Sequence, residues 1–218
     1  MFLQWIPYVL VTALLVIVGF LVTRISSLLN RLEREVAERT SELGEANRKL
    51  KKAVRIDPLT GLLNQSAFQA EAEAEIKRVL RSDRPFTLIL ADIDSLQEVN
   101  DRFGRQLGDV VLRRVAGVLS SQVREVDRLA RWGGGEFILL LPETEQVGAA
   151  LVAEKLRSSV AEERFLHDGD ALAVTLTLGI AGHRRGETLD TTLARADTAL
   201  IQGKRRGRNR VMIGSYKG

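Results

Sequence analysis

The run Arg131-Trp-Gly-Gly-Gly-Glu-Phe137 constrains this chain more than any other segment. It lies between two apolar, strand-like stretches, and the second, 137–142, follows without a spacer. Consecutive glycines let the backbone turn tightly and lie close to a phosphate, because no Cβ stands in the way. The chain must therefore reverse here between two strands. The third glycine, Gly135, leaves the turn without a side chain where metal chemistry would need a carboxylate.

Around this turn, apolar segments alternate with helical patterns. Residues 66–81 read as a helix, 86–94 as a strand and 108–123 as a helix. A strand over 137–142, a helix over 145–162, a strand over 172–181, a helix over 188–206 and a short strand over 210–213 complete the order. Strands placed between helices predict an α/β sandwich, an α+β arrangement with the sheet covered on at least one face. Hydrophobic residues make up 45% of the 218, which is enough for a core. Asp57-Pro-Leu-Thr-Gly61 breaks the preceding helical pattern and opens this domain, so it occupies 56–218.

The first part of the chain differs in character. Residues 2–23 carry no charge, and as a helix they would span about 33 Å, enough for a bilayer core. A cleaved signal peptide would need a basic start and a small-residue cleavage site, and neither is present. Residues 1–23 are therefore expected to be a transmembrane anchor. Basic residues begin at Arg24, so the positive-inside rule puts the remainder in the cytoplasm, a single-pass arrangement in a bacterial inner membrane. With almost nothing on the far side, no periplasmic sensor is expected. Residues 24–55 place Leu29, Val36, Leu43 and Leu50 on one heptad seam, and Ile25, Leu32, Arg39, Ala46 and Ala53 on the other. This predicts a short parallel coiled coil and a homodimer; a single amphipathic helix is the alternative. Gly44 weakens the helix by about 1 kcal/mol.

Composition removes several function classes. The chain has no cysteine, so disulfide and thiolate chemistry are excluded. Its two histidines, His167 and His183, have no metal-ligand spacing, and both are expected at the surface or in loops. The net charge of +4 suits a membrane surface or phosphate-bearing ligands. The basic run 204–210, taken alone, reads as a solvated helix end or a nucleic-acid patch. Asp92 and Asp94, at the end of an apolar strand, suit Mg²⁺ on a triphosphate, since magnesium takes hard oxygen ligands. Alone, they read more readily as a strand stop in solvent.

Four motifs occur in order. They are Asp57-x-Leu-Thr-Gly-Leu-x-Asn64; Asp92-Ile-Asp94 with Asn100-Asp101 and Gly108-Asp109; Arg131-Trp-Gly-Gly-Gly-Glu-Phe137; and Lys204-Arg-Arg-Gly-Arg-Asn-Arg210-Val. Together, over about residues 55–215, they resemble the GGDEF family of diguanylate cyclases. The resemblance implies a fold like polymerase palms and class III nucleotide cyclases. It implies condensation of two GTP molecules into cyclic di-GMP, one GTP per subunit, across an antiparallel dimer, with Mg²⁺ as cofactor and no nucleic-acid partner. By the same resemblance Asp92, helped by the backbone carbonyl of Ile93, is the first metal ligand. Asn100 and Asp109 read the guanine edge, Gly133 and Gly134 form the phosphate-proximal turn, and Lys204 and Arg208 contact the triphosphate. Arg124-Glu-Val-Asp127 ends six residues before Gly133, and matches the Arg-x-x-Asp site at which family members bind their product. A helix-end ion pair between Arg124 and Asp127 is the alternative.

The sequence departs from the family where chemistry is most exposed to change. The third signature position, normally Asp or Glu and the second metal ligand, is Gly135. A slipped alignment that made Glu136 this carboxylate would displace Arg131 or Phe137, so substitution is the better reading. Glu136 is not expected to stand in, because neighbouring strand residues face opposite ways. Loss of such a ligand costs several kcal/mol, roughly a hundred- to several-thousand-fold in rate. Ser95-Leu96-Gln97 replaces the usual His-Phe-Lys, and Ile201 and Gly203 replace Tyr and Ala. Three readings follow: a degenerate, membrane-anchored GGDEF protein that binds GTP or cyclic di-GMP; a working cyclase in which Glu136 completes the metal site; and a non-catalytic dimerisation partner of an active cyclase.

Overall fold

The computed structural model describes residues 55–82, 84–167 and 170–215, together with three isolated helical positions, Arg24, Arg39 and Thr40. The chain divides into two compact units, Met1–Ala53 and Val54–Gly218. The expected span over 2–23 and the heptad seams of 24–55 lie outside the described residues, apart from those three positions. Among the described residues, no helix is long and apolar enough to cross a membrane.

The second unit is built on β1 (Phe86–Ile93), whose residues alternate between two cores. Ile89, Ala91 and Ile93 face one way and Leu88 and Leu90 the other, the period-two pattern of a strand buried on both faces. β1 pairs antiparallel with β3 (Glu136–Pro142) on one side and with β6 (Leu176–Gly182) on the other. β2 (Arg128–Gly133) adds to β3, and β7 (Val211–Ile213) pairs parallel with β6, which gives the order β2-β3-β1-β6-β7. A separate hairpin joins β4 (Phe165–His167) and β5 (Asp170–Leu172).

Helices cover both faces. α1 (Gln65–Ser82) and α5 (Leu189–Arg205) share one core with Leu88, Leu90, Ile138 and Leu140. α2 (Leu96–Phe103), α3 (Arg105–Gln122) and α4 (Gln146–Glu162) share the other with Ile89, Phe137, Leu139 and Leu178. Each fully buried Leu, Ile or Phe side chain contributes about 1.5–3 kcal/mol. The sheet is thus covered on two faces, one more than the sequence pattern required. α5 lies so close to the sheet that a Cβ at Gly179 of β6 would sit 2.1 Å from the Ala196 carbonyl oxygen.

The expected elements are present, with ends moved by a few residues. Three features were not anticipated. α2 is only eight residues long and starts at Ser95, whose φ of 56° is left-handed and whose side chain does not cap the helix. β2 carries polar Arg128 and Arg131 among its apolar residues. The apolar stretch from Leu172 is split between β5 and β6.

His183 corrects an expectation. It is buried, not exposed: its ring stacks on Phe86 with centroids 4.4 Å apart, and its Nδ1 lies 2.8 Å from Thr192 Oγ1. The cause is position. His183 directly follows β6, its N–H donates to the Phe86 carbonyl, and the ring is drawn over the start of β1. Burial lowers its pKa. The side chain of His167 lies outside the described residues.

Candidate nucleotide site

The carboxyl end of β1, the β2–β3 turn, the start of α2 and α3, and the end of α5 meet around a cavity of about 840 Å³. Of the residues named from sequence, Asp92, Ile93, Asn100, Asp109, Gly134, Gly135, Lys204 and Arg208 line it. Gly133 and Glu136 flank it as the pair that closes the β2–β3 hairpin. Arg124 and Asp127 lie elsewhere, on the loop between α3 and β2.

The turn is held from outside by a chain of polar contacts. The Arg131 guanidinium donates to the Gly134 carbonyl from Nη2 at 2.9 Å, and pairs with Asp57 at 3.3 Å. Asp57 also accepts from the Thr60 backbone N–H at 2.9 Å and hydroxyl at 2.7 Å. Burial alone would raise the Asp57 pKa, but the Thr60 bonds and Arg131 outweigh it and hold the carboxyl below its ordinary value. The Asp57-Pro-Leu-Thr motif thus locks the arginine that grips the glycine turn. Gly134 itself has φ 49°, a conformation glycine adopts at little cost.

Two carboxylates face each other at the strand ends. Asp92 of β1 and Glu136 of β3 are register partners, so their side chains stand on the same face. The expectation that Glu136 points away from Asp92 is therefore corrected. Alternation along β3 does turn neighbours to opposite faces, but it is position 135 that points away from Asp92. A Cβ there would lie 2.9 Å from Leu96 Cδ2 and 3.8 Å from Ile93 Cβ, against an apolar wall. Asp92 is paired with Lys204 Nζ at 2.9 Å. Desolvation, with Asp94 adding repulsion, still raises its pKa against the pull of Lys204. Glu136 is raised too, first by burial and then by Asp92 and Asp197, with Lys204 opposing. Among the described residues, no three His, Cys, Asp or Glu side chains form a group that could hold a metal ion.

The opposite wall is set by helix packing. A Cβ at Gly108 would sit 1.9 Å from Asn100 Oδ1. The bare α-carbon lets the Asn100 amide of α2 lie against α3, one residue from Asp109. Asp94 is not a solvent-facing stop: it is buried and accepts from Thr177 Oγ1 at 2.6 Å, Thr175 Oγ1 at 2.7 Å and the Asn209 N–H at 3.0 Å. Asp101 of the second motif also lines the cavity, as does Arg105, which no motif singled out.

On the α3–β2 loop, Asp127 accepts from the Arg124 backbone N–H at 2.8 Å, and the Asp127 N–H donates to the Arg124 carbonyl at 3.1 Å. The helix-end ion pair is thus replaced by a side-chain-to-backbone turn, which leaves the exposed Arg124 guanidinium to project from the loop. Arg128 closes the turn: its Nη1 donates to the carbonyls of Glu125, Val126 and Asp127, while its Nε pairs with Glu71 at 3.1 Å.

The fold and pocket define an α/β domain with oxygen ligands and basic side chains gathered at one end of a mixed sheet. The family model described as "Diguanylate cyclase, GGDEF domain" matches residues 54–210, and the chain belongs to that family. It is 38% identical over 157 residues to diguanylate cyclase DgcP of Pseudomonas aeruginosa, a match covering 72% of this chain and 23% of DgcP. The GGDEF domain of DgcB from Caulobacter crescentus, solved with c-di-GMP, is 32% identical with a TM-score of 0.72, covering 74% of this chain and 96% of that one. Diguanylate cyclase SiaD of Pseudomonas aeruginosa, solved with its activator SiaC, is 38% identical with a TM-score of 0.72, covering 88% and 75%. The chain spans less than half the length of curated relatives such as DgcP and the response regulator PleD of Caulobacter vibrioides, at 23% and 35%.

The raised Glu136 pKa gives a testable sign. Its folded value lies above the ordinary 4.5, so its stabilising contribution is full below about pH 4.3 and is lost as pH rises through the folded value. Glu136→Gln is expected to raise the melting temperature at pH 7–8, with the gain vanishing below pH ~4. Thermal melts across that range check it; a loss of stability at pH 8 would contradict the assignment.

Proposed function

We propose that this chain is a membrane-anchored signalling protein of the diguanylate cyclase family whose catalytic centre is degenerate and which acts by binding guanine nucleotides, cyclic di-GMP among them. In this reading, residues 1–23 anchor it in a bacterial cytoplasmic membrane, 24–55 pair two copies as a coiled coil, and the GGDEF domain lies in the cytoplasm. The observation that carries the reading is Gly135. It supplies no carboxylate, and a side chain there would have to displace the end of Leu96.

The roles fall on the pocket as it is built. Asp109 accepts from guanine N–H groups, and the Asn100 amide offers a donor and an acceptor beside it. Lys204 and Arg208 meet the triphosphate, Arg208 with its planar fork, while the backbone at Gly133 and Gly134 lies close to the phosphates. In cyclase chemistry, the 3′-oxygen of one GTP attacks the α-phosphorus of the other, pyrophosphate leaves, and the 3′-proton passes to a base. Mg²⁺ fits the oxygen donors at the strand end, the Asp92 carboxylate and the Ile93 carbonyl, and two half-buried carboxylates, Asp92 and Glu136, facing each other suit a cation. When bound there, it would neutralise the triphosphate and polarise the reacting phosphate. With position 135 bare, this donor set lacks one member.

A second reading is favoured by the register of Asp92 with Glu136: Glu136 completes the metal shell and a slow cyclase remains.

Two measurements separate these possibilities. With GTP and Mg²⁺, wild type is expected to make little or no cyclic di-GMP, and Gly135→Asp to raise turnover at least about tenfold, short of the full effect because Leu96 must move. Measurable wild-type turnover that Glu136→Gln abolishes supports the second reading instead. For the Arg124–Asp127 loop, calorimetry is expected to give micromolar cyclic di-GMP binding, weakened at least about tenfold by Arg124→Ala, the loss of one charge-assisted contact. Binding that ignores this substitution removes the loop from the account.

A further inference from the structure

The cavity contains a carboxylate that neither metal binding nor base recognition uses. Asp94 is 8% exposed and its two oxygens accept three bonds. Oδ1 takes the Thr177 hydroxyl, and Oδ2 takes the Thr175 hydroxyl and the Asn209 N–H. A buried carboxylate engaged in this way is committed to structure, because releasing any of its donors would expose an uncompensated charge.

What it holds is unusual backbone. Arg208 and Asn209 follow α5 with φ of 57° and 45°, both in the left-handed region. Asparagine visits that region readily, whereas for arginine it is strained. The strain persists only where surroundings fix it. The Arg208 N–H donates to the Gly203 carbonyl at 3.2 Å, Asp94 takes the Asn209 N–H, and Asn209 Oδ1 accepts from Arg157 Nη1 of α4 at 2.7 Å. Arg157 is itself braced by Glu154. The turn is therefore gripped from β1, from α4 and from its own helix. Its first residue, Arg208, is the one that lines the cavity.

We propose that Asp94 is a positioning residue: through the Asn209 N–H, Thr175 just before β6 and Thr177 within it, it holds the left-handed Arg208–Asn209 turn so that the Arg208 guanidinium meets the β- and γ-phosphates of a bound nucleoside triphosphate. The proposal rests on the reading of this cavity as a guanine-nucleotide site. It assigns Asp92, near the end of β1, and Asp94, just beyond that strand, to different work. Asp92 is needed for its charge and Asp94 for its acceptor geometry.

The chemistry of asparagine separates these roles. In Asp94→Asn, the amide oxygen can take the Oδ2 place and keep the Thr175 and Asn209 bonds. The amide nitrogen then donates to Thr177 Oγ1, which can act as acceptor. In Asp94→Ala all three bonds are lost.

The test uses the full chain and compares GTP with GMP by calorimetry. Asp94→Ala is expected to weaken GTP at least about tenfold and GMP less than about twofold, since GMP lacks the phosphates that Arg208 meets. Asp94→Asn is expected to stay within about twofold of wild type for both. In an Arg208→Ala background, Asp94→Ala should add nothing further for GTP, because the two act as one unit. Equal loss of GTP and GMP, full loss in Asp94→Asn, or additive losses with Arg208→Ala would overturn the proposal. Amide hydrogen exchange gives a readout without nucleotide: Asn209 N–H should be protected in wild type and Asp94→Asn and exposed in Asp94→Ala. A rapidly exchanging Asn209 amide in wild type overturns the clamp. If wild type binds neither GTP nor GMP while this amide is protected, the clamp stands and the nucleotide reading fails, along with the role given to Arg208.

Discussion

The register between β1 and β3 sets the rest of the site. Once Phe86 opposes Pro142, Asp92 must oppose Glu136, and a slip of one residue in β3 would turn Glu136 to the face opposite Asp92. The register is fixed because both faces are buried: Ile89 and Phe137 belong to one core, Leu88 and Ile138 to the other. It also decides what a side chain at 135 would meet. Positions 135 and 136 face opposite ways, and Gly135 takes the side walled by Leu96 and Ile93.

Three separate chain segments then close around that strand end. Asp57, before α1, reaches Arg131, and Arg131 reaches the Gly134 carbonyl, so the start of the domain is tied to its signature turn. Asp94 ties β1 to β6 and to the turn after α5. Gly108 ties α2 to α3 by letting Asn100 approach. The first of these ties joins the first motif to the third, and the second joins the second motif to the fourth.

Much of this was legible in the sequence. Strongly periodic segments such as 66–81 and 145–162 gave helices, and the apolar runs at 86–94 and 137–142 gave the central strands, because burial on both faces leaves a continuous hydrophobic signal. The pocket residues were found through the ordered motifs. What the sequence hid was tertiary. α2 is short, and its N-cap Ser95 is left-handed and makes no side-chain cap bond. His183 is polar, yet it is buried by stacking on a phenylalanine nearly a hundred residues earlier in the chain. Alternation along β3 was read correctly, but which of residues 135 and 136 shares a face with Asp92 depends on pairing, which one strand cannot reveal. Asp94 looked like a strand stop because its three donors lie far away in sequence, on β6 and beyond α5.

The central proposal is a guanine-nucleotide site, in a chain of the GGDEF family, whose metal ligands are incomplete. Calorimetric titration of GTP into the chain, once with Mg²⁺ and once with EDTA, tests that claim most directly. An incomplete metal site predicts micromolar binding in both, with the ion changing affinity by less than about tenfold, or ~1.4 kcal/mol. A gain of about a hundredfold or more with Mg²⁺ would show a complete metal site and contradict the account.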